Sequence, residues 1–198
     1  MIAGLLLASG ASRRFGSNKL VAPLDGRPVV RWSAEALVSA VEATWVVAPA
    51  RSAEVRAALD GLPVRWVENP VAHEGMASSI RAGIAALPAE VEAVVITLGD
   101  QPLIDGDVIR RVVATWRAAP APRGGVVATY EDGRGHPALF GAAIFPALLA
   151  LEGDRGAREL LASLGAAVVA VGVPGRRPID VDTPEALASL ARGDGRSR

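Results

Sequence analysis

Short apolar runs rich in branched residues alternate along this chain with longer stretches of helical period, and that alternation marks parallel strands joined by helices. Strands are predicted at Ile2 to Leu7, Thr44 to Ala48, Val64 to Val67, Val91 to Leu98, Val126 to Thr129 and Ala167 to Val171, with a short one at Ile179 to Val181. Helices are expected from Pro28, over Ser52 to Leu59, over Met76 to Leu87, and from an Asp105 cap to Trp116. Later helices should start at Pro146, after Asp154, and at Thr183-Pro184, an N-cap followed by a first-turn proline. Tyr130 to Phe140 carries turn chemistry consistent with a hairpin or an excursion over the site.

A length of 198 residues fits one domain, expected over residues 1–192, with residues 193–198 as a disordered tail. Cysteine is absent, which excludes disulfides, thiolate metal sites and cysteine nucleophiles. With only His73 and His136 present, a poly-histidine metal site is disfavoured, and a catalytic metal should be a hard cation on oxygen ligands, Mg²⁺ first. Lys+Arg 21 balance Asp+Glu 21, so no broad basic surface is expected for nucleic acid or anionic membrane. No basic segment precedes the apolar start and no apolar run is long enough to span a bilayer, so a cytoplasmic protein is expected.

Three places carry chemistry. The loop after the first strand, from Leu6 to Lys19, lacks both the G-x-x-x-x-G-K-[ST] and the G-x-G-x-x-G spacing. It still suits an anion: small residues at Ser9, Gly10, Ala11 and Ser12 let successive N–H groups face a phosphate, and Arg13 and Lys19 can neutralise it. An ordinary basic surface loop is an equal reading of those residues. Thr97-Leu98-Gly99-Asp100-Gln101-Pro102 releases an aspartate from the end of a buried strand, although an Asp before a turn is more often a cap. In Ile179-Asp180-Val181-Asp182-Thr183-Pro184-Glu185, Asp180 and Asp182 should project to one side of an extended segment and approach one cation.

The loop resembles the L-A-A-G-x-S-x-R-[MF]-G-x-x-K signature of MobA-like nucleotidyltransferases, with Ser9 where that family usually has Ala. Gly99 to Pro102 is similar to the G-D-Q-P form of the molybdenum cofactor cytidylyltransferase branch, and Ile179 to Glu185 to I-D-[IV]-D-T-P-E. Gly75 to Gly83 resembles G-M-[SA]-x-S-[LI]-[RK]-x-G, and Gly135 to Phe140 resembles G-H-P-x-L-[FL] on the acceptor side. Gly153 to Arg158 is also similar to this branch. The resemblance covers nearly the whole chain. It implies a Rossmann-like three-layer α/β fold of the nucleotide-diphospho-sugar transferase type, with a mostly parallel central sheet.

The same resemblance implies a site. Lys19, Arg13 and Asp100 would be catalytic, and Asp100 and Asp182 would hold Mg²⁺. Leu7, Ala8, Gly10, Ala11, Ser12, Arg13, Lys19, Gly75, Ser78, Ser79 and Asp100 would border the nucleotide, and His136 and Gln101 the acceptor. The implied reaction moves CMP from CTP to the terminal phosphate of molybdopterin-bound molybdenum cofactor and releases pyrophosphate, with a molybdoenzyme or its maturation chaperone as a possible downstream partner. Competing readings are a relative using GTP or another phosphorylated acceptor, an NADPH-binding oxidoreductase, and a non-catalytic carrier of the cofactor. The lack of a G-x-G-x-x-G turn disfavours the oxidoreductase.

Overall fold

Ile2–Leu7 forms strand β1, buried at every position because helices cover both of its faces. The structure, a computed structural model, describes residues 1–10, 15–119, 124–153 and 156–193. After β1 come a single 3-10 turn at Lys19–Val21, a ribbon of β2 (Pro23–Leu24) and β3 (Arg27–Pro28), and helix α1 (Val29–Val38). The alternation continues through β4 (Ala43–Pro49), α2 (Ala53–Ala58), β5 (Val64–Asn69), α3 (Met76–Ala85), β6 (Ala93–Leu98) and α4 (Gly106–Ala118). The chain then makes β7 (Gly125–Tyr130), β8 (Gly133–Gly141), the short helices α5 (Phe145–Leu149) and α6 (Arg158–Ser163), β9 (Val168–Gly172) and α7 (Pro184–Ala191). The expected tail lies, from residue 194 onward, outside the described residues.

Seven strands form one mostly parallel sheet in the order β5-β4-β1-β6-β8-β7-β9. β1 pairs in parallel with β4 and β6, β4 with β5, and β7 with β9, while β8 runs antiparallel to both β6 and β7. The segment from Tyr130 to Phe140 is therefore a hairpin, turning at Glu131 and Asp132 and inserting its second strand between β6 and β7. Alternate strand side chains feed two cores. Ile2, Leu6, Val46, Val95 and Leu139 meet Val30, Leu37 and Ile109 on one face, and Leu5, Val47, Ile96 and Phe140 meet Ile80, Ile84 and Leu148 on the other. This is a helix–sheet–helix sandwich of three layers. Close packing needs a glycine in α3: a Cβ on Gly83 would stand 2.5 Å from Leu5 Cδ1.

Two expectations are corrected. Helix α1 begins at Val29, because Pro28 is paired in the β2–β3 ribbon instead of opening the helix. Ile179 to Val181 is not a strand; Val181 is buried in a small core with Leu24, Val29 and Leu190, and its N–H donates to Asp100 O at 2.9 Å. That segment meets the end of β6 without pairing along an edge. Thr183 does cap α7, its Oγ1 accepting from Ala186 N at 3.2 Å, with Pro184 in the first turn. Among the described residues no helix is long and apolar enough to cross a membrane.

Because β1, β4, β5, β6, β7 and β9 run the same way, the loops after their carboxyl ends gather along one edge of the sheet. The start of β8 joins them there, since that strand runs the other way. Sites of open α/β sheets form at such an edge.

Candidate active site

Lys19 is a charged residue in a buried place, 5% exposed, at the start of the turn that ends the long loop after β1. Asn18 caps this turn, its Oδ1 accepting from Leu20 N. The Lys19 ammonium donates to Asp100 Oδ2 at 2.6 Å and to Asp182 Oδ1 at 2.7 Å. Three residues singled out from distant motifs thus meet at one point. Burial disfavours the lysine's charge, but Asp100 and Asp182 outweigh it and hold its pKa above the ordinary lysine value. Burial pushes the Asp100 carboxyl above the usual carboxylate range, against the pull of Lys19 and with a contribution from nearby Asp180.

Asp100 is delivered by Gly99, whose N–H donates to Leu7 O at 2.9 Å and where a Cβ would lie only 3.2 Å from that same oxygen. Asp180 and Asp182 bracket buried Val181, as the period of an extended chain requires, but they serve different partners. Asp182 reaches Lys19, whereas Asp180 Oδ1 accepts from Gln101 Nε2 at 2.7 Å. Gln101 is 6% exposed, its carbonyl accepts from Ser33 Oγ at 3.0 Å, and its Oε1 is buried without a partner. A buried amide turned onto Asp180 ties the segment that carries Asp182 to the end of β6.

On the other flank, Leu7 and Ala8 are buried; Ala8 N and Ser9 Oγ both donate to Val47 O, at 2.8 and 3.2 Å. Gly10 is exposed, and a Cβ there would contact Lys19 Cε at 3.4 Å. Ala11, Ser12 and Arg13, like Asp154 and Arg155, lie outside the described residues. Gly75 precedes α3 with φ 102°, a conformation that favours glycine. Ser78 and Ser79 are each 2% exposed, and both hydroxyls accept from Asn69 Nδ2, at 2.8 and 3.0 Å. Ser78 Oγ also donates to Gly75 O at 2.8 Å. These hydroxyls lock α3 to the end of β5. Asn69 was missed from sequence; a polar residue closing an apolar strand just before Pro70 was its signal.

His136 lies in β8, half-buried, and its carbonyl accepts from Tyr130 Oη at 2.7 Å. Burial lowers its pKa to about 4; Asp100 pulls it up and Arg158 pushes it further down. The imidazole is neutral near pH 7 and stands within the electrostatic reach of Asp100. Tyr130, whose own pKa burial raises to about 12, is a second residue that sequence reasoning did not find. His73 sits in a 3-10 turn after β5 and takes no part in this cluster.

Asp100 and Asp182 already converge on one cationic atom and both offer hard oxygen donors, which fits a divalent cation such as Mg²⁺ or Mn²⁺. Among the described residues no group of three or more His, Cys, Asp or Glu is placed to hold a metal. Further ligands would come from water and substrate phosphates, as is usual for Mg²⁺ bound through one or two carboxylates.

The sequence profile of the MobA-like NTP transferase domain matches residues 4–168. The chain is 34% identical to a molybdenum cofactor guanylyltransferase of Cereibacter sphaeroides, across 96% of this chain and 97% of that protein. It is 31% identical to the purine catabolism protein PucB of Bacillus subtilis, across 96% and 95%. Rv0371c of Mycobacterium tuberculosis H37Rv, solved in complex with manganese, superposes with a TM-score of 0.80 at 29% identity, across 96% of this chain and 98% of that one. Asp182 lies beyond the residues that the profile matches, so its place in the site rests on the geometry.

Proposed function

The chain belongs to the MobA-like NTP transferase family and is a nucleotidyltransferase, and from that premise we propose that it transfers CMP from CTP to the terminal phosphate of molybdopterin-bound molybdenum cofactor. The observation that carries this reading is the meeting of Lys19, Asp100 and Asp182 at one point. An acceptor phosphate oxygen attacks the α-phosphorus, the bond from that phosphorus to the bridging oxygen breaks, and pyrophosphate leaves. The attacking phosphate is already ionised near neutral pH, so no dedicated general base is needed.

A divalent cation held by Asp100 and Asp182 would neutralise charge on the triphosphate oxygens. With the carboxylates so engaged, Lys19 would be able to face the triphosphate, where its charge would help the pyrophosphate leave. The resemblance assigns Gly10, Ala11, Ser12 and Arg13 to the phosphates, and Leu7, Ala8 and Gly75 to the nucleotide. His136, neutral and without the charge that would trap a phosphate, lines the acceptor side. The reaction takes place in the cytoplasm, and the product passes to a molybdoenzyme or its chaperone.

The cytidylyl choice rests on the Gly99-Asp100-Gln101-Pro102 resemblance, and the full-length likeness to a molybdenum cofactor guanylyltransferase favours GTP as the second reading. Calorimetric titration with CTP, GTP, ATP and NADPH, with and without Mg²⁺, separates them before any acceptor is prepared. Selective metal-dependent CTP binding is expected; a preference for GTP would move the base choice and keep the mechanism. With molybdenum cofactor added, Asp100→Ala should abolish metal-dependent pyrophosphate release while leaving the circular dichroism spectrum unchanged. Release at the wild-type rate by that variant would remove Asp100 from the metal site.

A further inference from the structure

The stretch from Val173 to Thr183 joins β9 to α7 without regular structure, and it carries Asp180 and Asp182. Near its start Val173 N donates to Thr129 O at 2.8 Å, and toward its end Val181 N donates to Asp100 O at 2.9 Å. Its middle is held by the turn of the β7–β8 hairpin. Glu131 N donates to Gly175 O at 2.9 Å, and Gly175 N donates back to Glu131 Oε1 at 3.1 Å. Arg177 N donates to Asp132 Oδ1 at 2.9 Å, while the other carboxylate oxygen faces Arg177 Nε at 3.3 Å. One carboxylate thus grips Arg177 by backbone and side chain together.

An exposed ion pair by itself contributes little, but a charge-assisted bond to a backbone N–H fixes the course of the chain. The Arg177 N–H, followed by its guanidinium, holds the Asp132 carboxyl below the usual carboxylate range, so the grip persists wherever Asp132 is ionised. Gly135 completes the fit. A Cβ there would lie 3.0 Å from Arg177 Cγ and 3.2 Å from Tyr130 Cε2, so the bare backbone lets the arginine stem lie on the hairpin.

We propose that Asp132 is a positioning residue for Asp182: by fixing Arg177 to the hairpin turn it sets where the chain from Pro178 onward delivers the second carboxylate of the metal site. This rests on the reading of Asp100 and Asp182 as metal ligands. The same turn leads into His136, so the metal carboxylate and the acceptor wall share one frame of reference.

The test is Mn²⁺ binding, followed by the electron paramagnetic resonance of the free ion, with CTP or GTP present in parallel samples. Asp132→Ala should weaken binding about tenfold, the usual scale for losing a partner that orients a ligand. Asp132→Asn should stay within about threefold of wild type, because its amide oxygen still accepts from Arg177 N–H. In an Asp182→Ala background, Asp132→Ala should add nothing, since the residue it positions is gone. Unchanged binding in Asp132→Ala, or the same loss with and without Asp182, overturns the positioning role. An Asp182→Ala variant that binds Mn²⁺ like wild type overturns the metal assignment itself, a separate failure. Should Asp132→Ala unfold, Gly135→Ala crowds Arg177 from the hairpin side; severalfold weaker Mn²⁺ binding supports the proposal and no change overturns it.

Discussion

Lys19 holds its two aspartates together as a divalent ion would, and this sets up a competition. Lys19→Met should weaken triphosphate binding by about 1.5–3 kcal/mol, the range for hydrogen bonds to charged groups, as read by calorimetry. The same change leaves two converging carboxylates without a counter-charge, so Mn²⁺ binding to nucleotide-free protein should strengthen severalfold. Weaker Mn²⁺ binding in that variant would show that the lysine was not standing in for the ion. His136 gives a pH test. Its folded pKa of about 4 lies below the unfolded value of 6.5, so the unfolded chain binds more protons between those limits. Stability should therefore fall as pH drops from about 6.5 to 4, and urea midpoints for His136→Asn should fall less steeply over that window. At this scale Lys19, Asp100 and Asp182 stood out as candidates because each lies in a motif, and the structure brings the three side chains together. The contacts of Ser78 and Ser79 with Asn69, and of Gln101 with Asp180, were not legible, because a polar side chain looks the same in sequence whatever buried partner it meets.

Strands β1, β4 and β6 could be read from their apolar runs because a strand covered on both faces has no reason to alternate. β8 could be placed only loosely. Its first half, Gly133 to Pro137, carries glycines, an arginine and a proline, and what puts it between β6 and β7 is a set of long-range pairings that no local pattern encodes. Ile179 to Val181 failed in the opposite sense, since its β-branched residues suit a strand but its Asp180 is held by Gln101 and the next carboxylate, Asp182, by Lys19. The hairpin depends on a close backbone contact at its base: a Cβ on Gly125 would stand 2.4 Å from Leu139 O. That oxygen belongs to the paired strand and cannot swing aside, so Gly125→Ala should cost about 1–3 kcal/mol by equilibrium urea unfolding, the scale of overpacking. A variant as stable as wild type would mean that the base of the hairpin has slack.

Across the whole molecule, the three-layer architecture and the edge that carries the site follow from the order of elements, which the sequence pattern conveys well. Which nucleotide enters does not follow from that order, because the order of elements fixes the edge where a site forms and not the groups that would meet a base. The cluster is also dispersed along the chain: Lys19 is 81 positions from Asp100 and 163 from Asp182. During synthesis Asp182 leaves the ribosome long after β1 and Lys19. A nascent chain can therefore complete all seven strands of its large sheet before Asp182 is there to meet Lys19, and a chain cut ahead of Asp182 keeps those strands while losing one of the two carboxylates of the cluster.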